Sequence, residues 1–320
     1  MHFKILNTIG EEFAPEGKRI LDEVAEVEYR VPSQEELQII IGEYDAILVG
    51  LGLQIDREVI DAAPKLKAIA TATTGLDHIN VVYAQEKGIE ALSLRGENDF
   101  LNSITGTAEL AFGMLIALFR RVPAAYEAVK RYEWERDAFK GYNLYGKTLG
   151  VVGLGRLGRW MARYGQAFGM RVLFYDPNVS QMEAGDYTKT NLEKLLTESD
   201  AVSIHVHLSP ETEGMIGADA FEKMKPGAYL VNTSRGKIVD EAALLEVLKS
   251  GRLGGYATDV LADELSFPEK GFANHQLVEY AKSHDNLLIV PHIGGMTHDS
   301  RIATDVFMAE KLARFLIGSA

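Results

Sequence analysis

The chain has 320 residues, of which 47% are hydrophobic and 25% are charged, a balance typical of a globular protein large enough for two domains. Its net charge of -13 argues against nucleic acid as the main partner, and the absence of cysteine excludes disulfides and cysteine zinc sites. We identify no apolar run of about 20 residues and no signal peptide, so we expect a cytoplasmic protein with no membrane partner.

Residues 1–103 alternate between apolar runs typical of buried strands and amphipathic runs typical of helices. Ser33 is predicted as a helix N-cap with Glu36 as its capping-box partner, and Asp56 and Asp240 are predicted as N-caps of later helices. The alternation predicts a parallel sheet with helices on both faces. The predicted strands of this part cover residues 3–8, 45–49 and 66–71, and its first helix covers residues 15–24.

A second alternating series follows, which indicates an α/β domain inserted into the first one. It opens with a long apolar helix predicted over residues 105–119, and the amphipathic last helix, 299–317, is expected to pack back on the first domain. The predicted strands of the inserted domain cover residues 148–152, 170–175, 201–207, 228–234, 255–260 and 287–292. The predicted domains are residues 1–103 with 293–320, and residues 104–292.

The stretch Gly153-Leu154-Gly155-Arg156-Leu157-Gly158 lies between a predicted strand and a predicted helix. Its glycines allow a tight turn, a close approach of backbone to a pyrophosphate, and packing of helix on strand. Asp176 ends the next predicted strand and can accept the ribose hydroxyls of adenosine. The sequence therefore predicts a Rossmann-type site for NAD. NADP is disfavoured because Pro177-Asn178-Val179 offers no cation for its extra phosphate.

Three polar side chains follow predicted strands of the inserted domain, namely Arg235, Glu264 and His292. In open parallel sheets, ligands bind beyond the carboxyl ends of the strands. An imidazole can carry a proton near pH 7, a carboxylate can orient the imidazole, and a guanidinium can hold an anionic substrate. Together they predict acid/base chemistry beside the dinucleotide, whereas each alone is compatible with a surface or structural role.

At this point the chain resembles the D-isomer-specific 2-hydroxyacid dehydrogenases over nearly its whole length. That family implies a Rossmann cofactor domain inserted into a flavodoxin-like substrate domain, hence two doubly wound parallel-sheet domains. The matching stretches are residues 74–79, 107–110, 146–158, 232–236, 254–264 and 291–295.

The resemblance implies that Arg235, Glu264 and His292 are catalytic. His292 delivers a proton to the C2 oxygen of a 2-ketoacid, Glu264 orients His292 and raises its pKa, and Arg235 holds the substrate. Backbone N–H groups of Thr74, Gly75 and Leu76 are expected to bind the substrate carboxylate, and Asp259 is expected to hold the nicotinamide carboxamide.

Further residues are assigned to the cofactor by the same resemblance. His205 and His207 alternate on a predicted strand, which leaves metal binding open, but no third ligand is apparent and adenine-side packing is preferred. The aromatic residues between 126 and 145 are expected in the core or in a homodimer interface. The complete set of expected cofactor contacts is Thr107, Gly153, Gly155, Arg156, Leu157, Gly158, Asp176, His205, Val206, His207, Thr212, Thr233, Ser234, Asp259 and Gly294; no metal is expected.

The substrate stays open at this stage. Glyoxylate, hydroxypyruvate or a similar short acid is preferred, because Gly50-Leu51-Gly52 carries no cation where phosphoglycerate-type relatives often have an arginine. Arg95 offers an alternative contact for an anion, or is a solvated loop residue. The competing interpretations are a phosphoglycerate dehydrogenase and an NADH-sensing corepressor of the same fold.

Overall fold

The computed structural model describes residues 3–267 and 271–318 and divides the chain into two compact units. The first unit comprises Met1–Ile104 and Thr297–Ala320, and the second comprises Thr105–Met296. The structure thus divides the chain at 104/105 and 296/297, where the sequence pattern indicated 103/104 and 292/293. The turn that follows His292 therefore belongs to the second unit, to which it is bonded through Asp259.

The first unit is built on a five-stranded sheet whose paired strands are all parallel. Its order is β2-β1-β3-β4-β5, the flavodoxin-like arrangement expected from the sequence. The central strand β3 and its neighbour β4 are buried on both faces, which explains their unbroken apolar sequence. The strands are β1 (Phe3–Asn7), β2 (Ala25–Tyr29), β3 (Ala46–Leu48), β4 (Ala68–Ala70) and β5 (Glu90–Leu92).

Two helices of the first unit begin where the sequence predicted caps. The Ser33 hydroxyl accepts the N–H of Glu36 at 3.1 Å, and the Glu36 carboxylate accepts the N–H of Ser33 at 3.0 Å, so the capping box is confirmed. Asp56 likewise accepts the N–H of Val59. The helices are α1 (Pro15–Asp22), α2 (Gln34–Ile40), α3 (Arg57–Asp61), α4 (Val81–Glu86), α5 (Asn98–Leu101) and α14 (His298–Gly318).

The second unit is built on a seven-stranded sheet, again with only parallel pairs. Its order is β12-β11-β10-β9-β6-β7-β8, so strand order reverses between β6 and β9, as in a Rossmann dinucleotide-binding sheet. The strands are β6 (Thr148–Val152), β7 (Arg171–Tyr175), β8 (Thr188–Lys189), β9 (Ala201–Ile204), β10 (Ala228–Asn232), β11 (Leu253–Thr258) and β12 (Leu287–Ile289).

Helices cover both faces of this sheet, over two buried clusters of apolar side chains. The predicted cap Asp240 accepts the N–H groups of Ala242 and Ala243. The helices are α6 (Gly106–Phe119), α7 (Val122–Lys130), α8 (Arg156–Ala167), α9 (Gln181–Ala184), α10 (Leu192–Glu198), α11 (Ala218–Lys223), α12 (Glu241–Lys249) and α13 (Gln276–Ala281).

By length and composition alone, the helical stretch Asn98–Phe119 is apolar enough to cross a membrane, contrary to the expectation from the sequence. The same test is passed by core helices of soluble proteins. Within this stretch, α6 packs against α8, β10 and β11 and buries Phe112, Leu115 and Phe119. Its apolar composition is therefore explained by packing inside the second unit.

Several predicted strands extend beyond the observed ones, and one of these differences affects the candidate site. The strand predicted over 201–207 ends at Ile204, so His205 and His207 follow β9 and do not alternate on a strand. The N–H of His205 still donates to the carbonyl of Val152, but after that contact the backbone leaves the sheet. The geometric reason for placing both imidazoles on one face is thereby removed.

Candidate active site

The glycine turn lies at the point where strand order reverses in the second unit. Gly153 follows β6 with φ +90°, and a Cβ there would lie 2.4 Å from the carbonyl oxygen of His205, which follows β9. A Cβ on Gly158 would lie 2.0 Å from the carbonyl oxygen of Gly153. Both positions therefore require glycine for protein packing, and Val206 contacts the same turn.

Gly155 differs from its two neighbours in the motif, because a Cβ there would meet no protein atom within 4 Å. It is exposed and is the N-cap of α8, whose first residues, Arg156 and Leu157, are half-buried. Space at a helix N-terminus is what a dinucleotide pyrophosphate requires, since unpaired N–H groups point into it. The turn therefore fits the cofactor that the sequence predicted.

Asp176 follows β7 and is bonded to the glycine turn. One of its carboxylate oxygens accepts the N–H of Leu154 at 2.9 Å, and the other accepts the N–H of Asn178 at 2.8 Å. These bonds orient the carboxylate at the end of β7. Because each carboxylate oxygen can accept a second hydrogen bond, the geometry remains compatible with ribose hydroxyls.

Two buried polar atoms near the ends of β9 and β10 have no hydrogen-bond partner within the part of the chain that the structure describes. They are Nδ1 of His205 and Oγ1 of Thr233. The other ring nitrogen of His205 is 2.8 Å from the Ser203 hydroxyl, and burial lowers the pKa of His205 to about 4. His205 is therefore neutral at pH 7, and both orphaned atoms are candidates for polar contacts with a bound ligand.

The loop after β9 is stabilised by hydrogen bonds between its own residues. The Thr212 hydroxyl donates to the carbonyl of His207 at 2.7 Å and accepts the N–H of Ser209 at 2.8 Å. His207 is exposed. Within residues 3–267 and 271–318 there is no group of three or more His, Asp or Glu side chains placed to hold a metal ion.

Arg235 is positioned by the turn that ends β10. The Asn232 side chain accepts the N–H of Ser234 and donates to the carbonyl of Arg235 at 2.9 Å. The Ser234 hydroxyl donates to the carbonyl of Ile204 at the end of the neighbouring strand. Arg235 is thus half-buried at the carboxyl edge of the sheet, where its charge acts on His292.

His292 and Glu264 form a direct pair, although 28 residues separate them in sequence. Nδ1 of His292 lies 2.8 Å from Oε1 of Glu264. Burial by itself lowers the pKa of His292, but the hydrogen bond and the charge of Glu264, aided by Asp259, outweigh burial and the opposing Arg235, so the pKa is raised. The pair therefore favours the protonated imidazolium form of His292, which carries a proton on Nε2.

Asp259, buried at the end of β11, fixes the backbone that carries His292. Its two carboxylate oxygens accept the N–H groups of Ile293 at 2.6 Å and of Gly294 at 2.8 Å, and its carbonyl accepts the N–H of His292. A Cβ on Gly294 would collide with this carboxylate and crowd Thr107. The sequence did not indicate this second role of Asp259, since nothing in its type or spacing marks the contact.

The predicted substrate loop lies in the first unit, after β4. The carbonyls of Thr74, Gly75 and Leu76 accept hydrogen bonds from Arg95 Nε, the Thr73 hydroxyl and the N–H of Ile79. Among the hydrogen bonds of the described residues, none uses the N–H groups of these three residues. Such free donors suit an anion; that they bind the substrate carboxylate stays a prediction.

Residues 112–294 match the family model described as D-isomer specific 2-hydroxyacid dehydrogenase, NAD binding domain. The chain belongs to the D-isomer-specific 2-hydroxyacid dehydrogenase family, and its second unit contains the NAD-binding domain of that family. Both the fold and the cofactor expected from the sequence are thereby confirmed.

Two curated relatives and one solved structure illustrate the similarity. A glyoxylate reductase of Thermococcus litoralis is 35% identical over 319 residues, covering 95% of this chain and 90% of that protein. A D-3-phosphoglycerate dehydrogenase of Synechocystis sp. is 36% identical over 305 residues, covering 94% of this chain and 52% of that protein. The chain thus spans about half the length of the curated phosphoglycerate dehydrogenases it matches. The structure of D-lactate dehydrogenase from Aquifex aeolicus, complexed with NAD and lactic acid, has a TM-score of 0.87 and 30% identity, covering 98% of this chain and 96% of that one.

Proposed function

We propose that the protein is an NAD-dependent D-2-hydroxyacid dehydrogenase that works mainly as a reductase of short 2-ketoacids such as glyoxylate or hydroxypyruvate. The observation that carries this proposal is the 2.8 Å contact between Glu264 and His292 in the NAD-binding unit. The pair combines a proton carrier with a carboxylate that raises its pKa, which is the requirement for reducing a carbonyl near neutral pH.

In this proposal the bound cofactor supplies a hydride to C2 of the substrate. The Nε2 of His292, on the side of the ring away from Glu264, gives its proton to the C2 oxygen. Glu264 holds the ring by its other nitrogen and stabilises the imidazolium form before transfer. Arg235 binds the anionic substrate and polarises its C2 oxygen, because a guanidinium offers several donors in a fixed plane.

The direct test is the oxidation of NADH by the purified protein with a panel of 2-ketoacids that includes glyoxylate, hydroxypyruvate, pyruvate and phosphohydroxypyruvate. We expect saturable turnover with at least one short 2-ketoacid, and the D-isomer as product wherever the product is chiral, as it is from hydroxypyruvate and pyruvate. An absence of turnover with every acid, in a sample that binds NADH, would contradict the proposal and favour an NADH-binding protein of the corepressor kind.

A phosphorylated substrate is the second candidate, and Arg95 is the observation that favours it. Nε of this exposed arginine donates to the carbonyl of Thr74 at 3.3 Å, so its guanidinium contacts the predicted substrate loop. A second anionic group on the substrate would find a cation there, whereas an uncharged substrate end would not need one.

Replacement of this cation separates the two candidates. If a phosphorylated acid is the substrate, Arg95→Gln raises KM for phosphohydroxypyruvate about tenfold or more, while KM for hydroxypyruvate changes by less than about twofold. Arg57→Gln, which removes an exposed arginine elsewhere in the first unit, is the matched control. Equal KM changes for both substrates would assign Arg95 to the fold of the loop and leave the short acids as substrates.

We also propose that the enzyme is a homodimer formed through residues 122–145. This segment exposes large apolar side chains, with Tyr132 99% and Trp134 86% exposed, and such clusters mark association surfaces. Light scattering should give twice the chain mass, and Trp134→Ser should weaken the dimer, whereas Met182→Ser, at an exposed methionine of the same unit, should not. A monomer at micromolar concentration in the unmodified protein would overturn this assignment.

A cytoplasmic location is proposed on composition and chemistry. The chain has no cysteine and so gains nothing from an oxidising compartment. The reaction also consumes NADH, which the cytoplasm supplies. Fractionation of cells that express the native protein, with NADH-dependent 2-ketoacid reduction as the assay, should recover the activity with cytoplasmic markers; recovery with membranes would contradict this location.

A further inference from the structure

We propose that Glu241, the first residue of α12, is a positioning residue for the acid/base pair. It acts by holding the peptide N–H of Ala262 and thereby fixing the loop from Leu261 to Glu264. The inference rests on the proposed function, because it concerns how His292 receives its partner. Nothing in the sequence pattern distinguished Glu241 from an ordinary acidic residue in the first turn of a helix.

Three hydrogen bonds connect Glu241 to His292 through the loop. Oε1 of Glu241 accepts the N–H of Ala262 at 2.8 Å. The neighbouring N–H, that of Leu261, donates to Oε2 of Glu264 at 3.2 Å, and Oε1 of Glu264 meets Nδ1 of His292 at 2.8 Å. One carboxylate oxygen of Glu264 is therefore bound to the loop and the other to the imidazole. The position of the loop determines whether the second contact forms.

The same loop also packs against Gly236. A Cβ on Gly236 would lie 2.1 Å from the carbonyl carbon of Leu261 and 2.3 Å from the nitrogen of Ala262. The 261–262 peptide thus rests directly on the residue after Arg235, with no space between them. Glu241 and Gly236 together hold one peptide unit, which adjoins the residue after Arg235 and whose Leu261 N–H binds Glu264.

The surroundings of the Glu241 carboxyl disfavour its charged form. Burial raises the pKa of the Glu241 carboxyl, and so do the nearby charges of Asp263 and Glu264, whereas the bond from Ala262 and the charge of His275 lower it; the net direction is upward. His275 Nε2 lies 3.5 Å from Oε2 of Glu241. Keeping the Glu241 carboxylate ionised while it is partly buried near two other acids destabilises the folded state. Positioning of the loop is a function that would account for this unfavourable arrangement.

A positioning role predicts which property changes when Glu241 is replaced. Glu241→Ala removes the acceptor for Ala262, loosens Glu264 from His292, and lets the pKa of His292 fall toward its ordinary value. Glu241→Gln keeps an oxygen acceptor for the same N–H and should preserve the pair. Glu246→Ala, which removes an exposed acid of the same helix, is the matched control.

The experiment measures four quantities for the wild-type protein and these three variants: the pH profile of kcat/KM, the Kd for NADH, Tm, and the titration of the His292 ring by NMR. We expect Glu241→Ala to lower kcat roughly tenfold to a hundredfold, because small misplacements of catalytic groups have effects of that size. Its kinetic and NMR pKa values should fall together, with NADH affinity within about twofold, and Glu241→Gln and Glu246→Ala should resemble the wild type.

Two outcomes overturn the inference. One is an unchanged His292 titration in Glu241→Ala; the other is a loss of Tm and NADH affinity without a shift of that titration, which indicates a merely structural residue. The NMR titration needs no turnover, so the two proposals can fail separately. A protein that reduces no 2-ketoacid would refute the proposed function. The effect of Glu241 on the His292 ring would still be measured by the titration.

Discussion

At the scale of single residues, the unusual backbone of His292 accounts for how the pair forms. His292 has φ +51°, in the left-handed region, where a non-glycine residue costs about 1–3 kcal/mol. The N–H groups of residues 292–294 all bond to Asp259, which holds the chain in this conformation. In this conformation the imidazole meets Glu264, in the loop that follows β11.

Glu264→Gln tests the electrostatic part of this pairing. Reduction needs the protonated imidazole, so the rate declines as pH rises through the pKa of His292, and Glu264 extends activity to higher pH by raising that pKa. The variant keeps a hydrogen-bonding side chain but loses the charge. The alkaline limb of kcat/KM should therefore move to lower pH, with a loss of about tenfold or more at pH 8. An unmoved limb would show that Glu264 does not set the pKa.

The residue types of the site could be predicted from the sequence, but their mutual contacts could not. Arg235, Glu264 and His292 stand after apolar runs, and ends of parallel strands meet at one edge. The positive φ of His292 and the hydrogen bonds that Asp259 accepts from residues 292–294 have no local signature, because the donors are backbone N–H groups more than 30 residues away. Glu241 was missed for the same reason: its partner is a backbone N–H from a distant loop.

At the scale of elements, the glycine turn before α8 contains one glycine that is needed for packing and another that leaves space for a ligand. Gly158 has no room for a Cβ because the carbonyl of Gly153 lies against it, whereas Gly155 faces open space. The two positions look equivalent in the motif but have different neighbours. A methyl group added at Gly155 should therefore affect mainly NADH binding, whereas one added at Gly158 should affect stability as well.

Gly155→Ala is expected to lower Tm by no more than about 4 °C, because its methyl meets no protein atom and the only cost is that alanine is a poorer N-cap than glycine. The methyl should nevertheless obstruct the pyrophosphate and weaken NADH binding at least tenfold. Gly158→Ala, the matched variant, should lower both Tm and affinity because the turn must shift. Calorimetry and fluorescence titration check both variants; tight NADH binding by Gly155→Ala would place the pyrophosphate elsewhere.

Elements with local signals were predicted well and others were not. The caps at Ser33, Asp56 and Asp240 are confirmed, because a cap is decided by residues three positions apart. The edge strand β2 received no assignment, since Glu26 and Glu28 give it a polar appearance. The strand before His205 was extended too far because apolar alternation continues after the backbone has left the sheet.

At the scale of the whole molecule, distant parts of the chain meet in the first unit. Asp305, in α14, is 1% exposed and accepts the N–H of Ala14 at the start of α1. Burial raises the pKa of Asp305, while Arg301 and the bond from Ala14 oppose the shift only in part. Arg301 stands 3.4 Å away, yet Oδ1 of Asp305 forms no hydrogen bond with any described residue.

Asp305→Asn is therefore expected to stabilise the protein at neutral pH. A raised pKa in the folded state means that stability is fully present below the unfolded pKa of aspartate and is lost as pH rises through the folded one. The amide keeps an acceptor for Ala14 and carries no charge, so the variant should unfold at higher denaturant concentration at pH 7 and match the wild type near pH 3. Equal midpoints at both pH values would refute the cost assigned to this carboxylate.

The two-unit architecture followed from alternation of strand and helix patterns together with the family resemblance. Periodicity alone does not determine strand order, because β6 pairs with β7 and β9 through contacts far apart in sequence. The order became predictable only through the glycine motif and the stretches that resemble a known family. The exposed aromatic segment around Trp134 could not be assigned from the sequence, because the dimer proposed there would involve a second chain.

The measurement that tests the central claim most directly is NADH-dependent reduction of the best 2-ketoacid by His292→Ala, with NADH binding measured on the same sample. We expect NADH affinity within about threefold of the wild type and a loss of kcat of roughly a hundredfold or more, the contribution of a general acid. Near-normal turnover by this variant would contradict the role of the Glu264–His292 pair.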